Sequence, residues 1–568
     1  MRHTRLLALL LSGSGLLQMA TLSLRPAGAQ SSVTVLPPRR LPPPSSALLR
    51  SLEQMQRDLE VLDRSLPGPA GEVRTPEGKD QALVERLSAP PPRALPTTAM
   101  AVTIQERLKL SLATALAVAV RNDPDLAAEM ATVQERRNLA RSARGRLWPE
   151  VGLNLRGGFG QERAYRTVWN DNAGLYPPGS PFLVKPNGWN LLRTNNGFGG
   201  AALGLDWALI SPERGAAIAE ADQDLLAARQ GYANRLRQLQ LDVSLAYYGL
   251  QLADQLQRIR KAVVDSDTVV RDQVGALKTA GLVPRVDLLR AEAVLQQSRF
   301  RLEQAEALRS TRERQLSNQL NVAFDVTLVA HETVRLLPPW PLDLQQTIVR
   351  GYAANPQLLA LQAAREALLR QADRRAAELL PSLRLVVGAG YGESVATKPV
   401  IQLEGCCGAT NIRQLYTQSA DWAAGLQLHW RIFDGGVTAG AVAASRSAAL
   451  RTDQNLARER NAVRQRVEAA FFDHRAALRQ IVASRASYRA AREAFRDVRA
   501  RYQLGLADYS DVADTVTTLT AAMEGVAEST TLANVSYAQL LRELLQVTDQ
   551  PGAPVSLPLV LEGEAAAS

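Results

Sequence analysis

Between residues 420 and 433 hydrophobic and polar positions alternate strictly. Trp422, Ala424, Leu426, Leu428, Trp430 and Ile432 fall on one side, and Asp421, Ala423, Gly425, Gln427, His429 and Arg431 on the other. A period of two predicts a β-strand with one apolar face. Val151, Leu153, Leu155 and Phe159 alternate with Gly152, Asn154, Arg156 and Gly158, and residues 383–391 repeat the pattern with Leu383, Leu385, Val387 and Tyr391. A fourth strand is expected over 198–209. Strands of about ten residues match the length that crosses a bilayer at a tilt of ~45°. The tryptophans fall near strand ends, where amphipathic rings favour a lipid–water boundary.

The other signal has a period of three to four. Leu236, Leu239, Val243, Ala246, Leu250, Ala253, Leu256 and Ile259 form a stripe inside a helix expected from Pro212 to Thr279. Ser211-Pro212-Glu213 supplies its N-cap, its first-turn proline and a first-turn acid. At 1.5 Å per residue it spans about 100 Å, too long for a compact domain and suited to coiled-coil packing. Gly281 breaks it, and Pro284 starts another helix that runs to about Asn321. Helices are also expected over 104–147 (stopped by Pro149), 344–379, 437–503 and, after a break at Gly505, 508–546.

These segments occur twice. Asp123-Pro124-Asp125-Leu126 answers Asn355-Pro356-Gln357-Leu358, Trp148-Pro149 answers Leu380-Pro381, and Gly158-Phe159-Gly160 answers Gly390-Tyr391-Gly392, all 232 residues apart. Leu205-Asp206-Trp207 answers Leu428-His429-Trp430 at 223; Tyr247-Tyr248 answers Phe471-Phe472, and Gly281-Leu282 with Asp287 answers Gly505-Leu506 with Asp511, at 224. Offsets this constant point to an internal duplication. The expected organisation is 1–29 signal peptide, 30–102 Pro-rich extension with one amphipathic helix, 103–322 first repeat, 323–343 linker, 344–547 second repeat and 548–568 tail.

Arg2 and Arg5, an apolar stretch from Leu6 to Leu24 and the small residues Ala27-Gly28-Ala29 give the layout of a secretory signal peptide. In the extension, Leu48, Leu52, Met55, Leu59, Leu62 and Leu66 mark the amphipathic helix between the Pro37-Pro38, Pro42–Pro44 and Pro90–Pro92 clusters. The net charge of +10 raises the question of nucleic acid, but the export signal turns that balance toward a membrane setting, and the Arg-rich stretch from Arg446 to Arg501 reads as solvated helix surface. Four scattered histidines and one vicinal pair, Cys406-Cys407, offer no zinc or catalytic-metal spacing. No cofactor motif is present: Gly388-x-Gly390-x-Gly392 lacks the following helix of a dinucleotide site. No nucleophile–base set emerges, so the chain reads as a non-enzyme.

A soluble sheet can alternate in the same way; the export signal and the absence of other β segments favour a spanning one. Four strands leave two open edges, which hydrocarbon does not tolerate, and spanning barrels need eight or more strands. Copies must therefore associate: a dimer would supply eight strands, a trimer twelve.

With these features in place, residues 103–547 resemble the TolC-like family of outer-membrane efflux and secretion channels. The resemblance rests on the Asn/Asp-Pro-x-Leu motifs, the proline helix stops, and the segments Ala280–Leu289 and Tyr502–Asp514. It implies a mainly α fold with a small β part. A long α-helical coiled-coil barrel would be continuous with a trimeric 12-stranded transmembrane β-barrel to which each chain gives four strands. It also implies a passive exit duct in the outer membrane of a Gram-negative-type bacterium, with a large periplasmic portion. Its partners would be two further copies, a periplasmic adaptor protein, an inner-membrane transporter and outer-membrane lipid, with no nucleic acid.

The resemblance further assigns Asp287, Tyr502, Asp511 and Asp514 to a periplasmic constriction, where Asp511 and Asp514 of three copies would form a cation-attracting ring. It assigns Gly281, Leu282, Gly505 and Leu506 to tips that adaptors engage. The family's latch arginine is replaced here by Ala507, while Arg285 lies in the other turn. The alternative reading is a non-catalytic periplasmic coiled-coil scaffold. Asn534-Val-Ser536 forms a sequon inside an expected helix and carries no weight.

Overall fold

The computed structural model describes residues 79–89, 95–167, 189–281, 283–353, 355–402, 415–503, 506–507 and 509–561. The signal-like segment, the amphipathic stretch 48–66 and the Cys406-Cys407 pair lie outside the described residues.

Two antiparallel hairpins build one four-stranded sheet. β2 (Glu150–Thr167) and β3 (Trp189–Ile210) form the first, β5 (Ser382–Gln402) and β6 (Leu415–His429) the second, in the order β2-β3-β5-β6. At 15 to 22 residues the strands exceed the expected ten. Their alternation continues past the apolar band into polar sequence such as Gln161, Glu393 and Gln418, and ladder hydrogen bonds follow it there. β6, however, stops at His429 rather than 433: its partner β5 begins at Ser382, opposite His429, so Trp430–Phe433 have no strand to pair with.

Paired positions separate two faces. Val151, Leu153, Leu155, Leu203, Leu205, Val387, Trp422, Leu426 and Leu428 share one. Asn154, Arg156, Phe198, Asp206, Arg384, Asp421 and a run of glycines share the other. The second face is concave and lines a hollow of about 590 Å³. Nothing covers the apolar face: Val151, Leu153, Leu155, Leu426, Leu428 and Trp422 are 60–79% exposed. Among the described residues none of these strands contributes to the buried core.

The helices hold the core. α4 (Pro212–Thr279) has 68 residues and turns into α5 (Arg285–Gln319); α8 (Val437–Gln503) has 67 and turns into α9 (Tyr509–Leu544). Toward the turns, Ile259, Val263, Val270, Val274 and Ala291 of the first hairpin interlock with Tyr488, Phe495, Val512, Val516 and Leu519 of the second. Nearer the sheet a larger cluster gathers α1 (Lys79–Leu87), α2 (Leu112–Asn122), α3 (Pro124–Gly145), Tyr232 to Leu250 of α4, Leu316, Leu320 and the tail residues Val555, Leu557 and Leu559.

Two expectations need correction here. Residues 104–147 are not one helix but a strand, β1 (Glu106–Leu110), followed by α2 and α3, and the linker 323–343 contains β4 (Val326–Ala330), which pairs with β1 in parallel. The four-stranded sheet is therefore not the only β structure. The break between α2 and α3 comes from Pro124. A proline lacks the N–H that would continue the ladder and pushes the preceding residue toward extended geometry; Asp123 sits at φ −68°, ψ 120°. The same break separates α6 (Leu344–Ala353) from α7 (Pro356–Ala376) in the second half.

The repeated Asx-Pro motif is thus a helix cap. Asp123 Oδ1 accepts the Leu126 N–H at 2.6 Å, and Asn355 Oδ1 accepts the Gln357 N–H at 3.0 Å. Both caps are buried and tied to the long helices. Arg235 Nη2 reaches Asp123 Oδ2 at 2.7 Å, whereas Asn355 Nδ2 donates to Glu543, which Arg466 and Arg542 also hold. Arg235 also meets Asp242, and 224 residues on the polarity is reversed, Glu459 meeting Arg466. Beside this network Arg237 is fully buried, its Nε donating to the Arg542 carbonyl at 2.5 Å, and burial lowers its pKa to about 10.

Removing the first cap tests this account. Asp123→Ala should cost about 1 kcal/mol locally, because Arg235 keeps Asp125 and Asp242 as partners. Amide exchange in the first turn of α3 should quicken roughly fivefold; unchanged exchange there would contradict the capping role.

Candidate functional site at the helix turns

Both hairpins turn at the end remote from the sheet. In the first turn, the Ala280 N–H closes onto Ala276 O and Lys278 O, and Gly281 follows at φ +72°. That left-handed geometry favours glycine at a helix C-terminus. Pro284 is the N-cap of α5, and Asp287 stands in the first turn, its N–H on the Pro284 carbonyl at 3.2 Å. In the second turn the Leu506 N–H reaches back to Arg501 O at 2.8 Å. Val283 and Ala507, one from each turn, pack on the same cluster, so the two turns are neighbours.

The expected residues fall as follows. Asp511 and Asp514 are exposed on α9, while Val512 and Val516 of the same helix are buried. The two carboxylates therefore project from the face opposite the core. The carbonyls of both residues accept threonine hydroxyls one turn on, from Thr515 and Thr518, each at 2.9 Å. Asp287 is partly exposed and its carboxylate lies 3.8 Å from Arg290 on its own helix. Ala507 cannot supply a cation to it. Tyr502 lies in the last turn of α8. Leu506 is 71% exposed. Leu282 and Gly505 lie outside the described residues.

One group escaped sequence reading. Asp267 occupies the α4 stripe between Val263 and Val270, four and three residues away, and is buried with them. Its Oδ2 accepts the Ser298 hydroxyl at 2.5 Å. With Arg260, Arg301 and Glu524 it lines a hollow of about 260 Å³ among α4, α5 and α9. Arg260 binds Glu524 at 2.6 Å. Burial raises the pKa of both acids, opposed by the Ser298 hydrogen bond at Asp267 and by Arg260 at Glu524. A polar residue within an apolar stripe was the available signal.

Among the described residues no cluster of three or more His, Cys, Asp or Glu could hold a metal ion, and no helix is long and apolar enough to cross a membrane.

Residues 348–544 match the family described as outer membrane efflux protein. No curated protein sequence matches the chain. The fold is that of several solved outer-membrane proteins. VceC of Vibrio cholerae is similar with a TM-score of 0.56 at 17% identity, over 76% of this chain and 95% of its own. The CmeC outer membrane channel of Campylobacter jejuni is similar at 0.56 and 14% identity, over 80% and 94%. The MtrE outer membrane channel of Neisseria gonorrhoeae, solved in its open state, is similar at 0.52 and 17% identity, over 80% and 98%.

Asp267 yields a pH prediction. A carboxyl whose folded pKa lies above its unfolded value of 3.8 is fully tolerated below 3.8 and erodes stability as pH rises through the folded value. Asp267→Asn keeps an acceptor for Ser298 and removes that penalty. Its melting temperature should exceed the parent's at pH 7, with the gain vanishing below about pH 3.8. An equal gain at both pH values would assign it to packing instead.

Proposed function

We propose that this chain, which carries an outer membrane efflux protein domain over residues 348–544, is an outer-membrane channel protein: the exit duct of a tripartite efflux pump or a type I secretion system. One observation carries the reading. A sheet with a bare apolar convex face and a small, polar concave face continues into helices of about 100 Å. In water the bare face would be a large aggregation hazard; against lipid it is favourable. The concave face, rich in glycine and bearing Arg156, Asp206, Arg384 and Asp421, suits an aqueous lumen.

The unpaired edges β2 and β6 demand further copies, and three copies give twelve strands and twelve long-helix segments in a ring. The internal duplication makes each chain contribute two similar sectors. The helices then extend through the periplasm and end in tips that carry Asp287, Tyr502, Asp511 and Asp514 around the opening. Gly281, Leu282, Gly505 and Leu506 form the docking rim for a periplasmic adaptor joined to an inner-membrane transporter. Transport through the duct is passive, with no cofactor.

The assembly is tested by extraction in detergent: light scattering should give three chains per particle. A stable monomer with native β circular dichroism would overturn the barrel. Replacing Gly281 and Gly505 by valine should impair transport while leaving the oligomer intact, since a β-branched residue opposes the left-handed turn seen at Gly281; normal transport would remove these turns from docking.

The ring is tested in planar bilayers. Asp511→Asn with Asp514→Asn keeps side-chain size and removes six charges per trimer. Cation selectivity should fall, and block by trivalent cations from the helical end should weaken at least tenfold, about 1.4 kcal/mol. Full selectivity and block in the double variant would mean that these acids serve only the helix start.

A further inference from the structure

The two hairpins share one register. Shifting β2 by 232 residues and β3 by 223, the offsets of the sequence repeat, carries the rung Glu150–Asp206 onto Ser382–His429, which is itself paired. The rung Gly158–Phe198 becomes Gly390–Asp421, also paired. The repeat is therefore exact along both ladders, and β3 corresponds to β6 as β2 corresponds to β5.

That leaves one internal seam, β3 against β5, and two bare edges, β6 and β2. Applying the same offsets to the internal seam maps it onto a contact between β6 of one copy and β2 of the next. We infer that β6 pairs antiparallel with β2 of a second copy of this chain, in the register that sets Leu428 opposite Leu155 and Trp430 opposite Leu153. These rungs are the images of Leu205–Val387 and Trp207–Leu385. The inference rests on the closed-barrel reading and adds to it which residues meet.

Side-chain size agrees with that register. Ala201 lies opposite Tyr391 inside the chain, and its image sets Ala424 opposite Phe159, again small against large. Leu203 opposite Ala389 becomes Leu426 opposite Gly157. On the concave side Gln427 falls opposite Arg156 and His429 opposite Asn154, while the image of Phe198–Ser394 sets Asp421 opposite Glu162, one rung of like charge toward the far end of the seam. Closure also requires that the rungs climb as they go round. In this register a path from Arg156 through Gly200, Gly392 and Ser419 reaches the next copy's β2 at Ala164, eight residues farther on. A flush seam, with Ser419 opposite Arg156, would have no such shear.

The register also explains why β6 stops early. Trp207 and Ala208 are strand residues because β5 supplies Leu385 and Arg384. Their images Trp430 and Arg431 have nothing to pair with in a single chain, and Trp430, Ile432 and Phe433 are 56–86% exposed. In the seam Trp430, Arg431 and Phe433 meet Leu153, Gly152 and Val151, with Ile432 at the image of the bulge beside Ala208, so the strand is completed by assembly.

Disulfide trapping tests the register. Directly opposed residues have Cβ atoms about 4.5–5.5 Å apart, near disulfide reach, and a shift of two residues takes them to about 7–8 Å, beyond it. With Cys406 and Cys407 replaced by serine, Leu155→Cys with Leu428→Cys should oxidise to a covalent oligomer that survives boiling without reductant. Leu153→Cys with Trp430→Cys should do the same, and Leu155→Cys with Leu426→Cys should remain monomeric after boiling. Unheated samples report whether the oligomer itself forms. An unheated oligomer in which the Leu426 pair links as well as the Leu428 pair, or in which neither expected pair links, overturns the register alone. Absence of any oligomer from the parent chain overturns the barrel reading with it.

Discussion

Backbone hydrogen bonding is the constraint on which this molecule turns. Each strand of the sheet offers a row of N–H and C=O groups, and hydrocarbon provides no water to satisfy them. β3 and β5 are paired on both sides, whereas β2 and β6 each present one bare edge beside an apolar face that nothing covers. On the proposed barrel reading, a chain with this sheet is complete only next to copies of itself. On that reading the bareness of the apolar face and the end of β6 at His429 both express that single requirement. In the proposed channel the helices follow from it too, because a closed ring of hairpins would hand its strands on to a closed ring of helices.

The helical part is organised by a different rule, the termination of ladders. Pro124 and Pro356 each interrupt what would otherwise be one helix, and the buried residues before them, Asp123 and Asn355, cap the next one. Each cap is then used a second time as an anchor to a long helix, through Arg235 in one half and Glu543 in the other. The halves are alike in geometry but not in chemistry, since the Arg235–Asp242 pair of α4 returns as Glu459–Arg466 in α8. Offsets that hold through such a reversal reflect conserved placement of backbone rather than of side chains.

At the turns, charge and core divide cleanly along α9. Val512, Val516 and Leu519 interlock with the first hairpin, while Asp511 and Asp514 stand on the exposed side of the same helix. Asp287 meets Arg290 on its own helix, and Val283 and Ala507, one from each turn, pack on the same apolar cluster. Farther along the coil the buried Asp267 places a carboxyl where the stripe calls for an apolar residue, and burial raises its pKa against the Ser298 hydrogen bond.

The sequence by itself determined the long helices to within a few residues, Pro212–Thr279 and Val437–Gln503, and the apolar face of each strand. Both are fixed by local period and by proline and glycine, which act through the backbone of their own segment. It also located the two turns and the exposed acids beside them. It did not reveal β1 and β4, whose five-residue pairing joins segments more than 200 positions apart and carries too little alternation to be read locally. Nor did it reveal the cap role of Asp123 inside an apparently continuous helix, or the burial of Asp267 and Arg237 among neighbours from other helices. Those were decided by tertiary structure, because a cap, a strand partner or a buried charge is defined by what the rest of the chain brings to it.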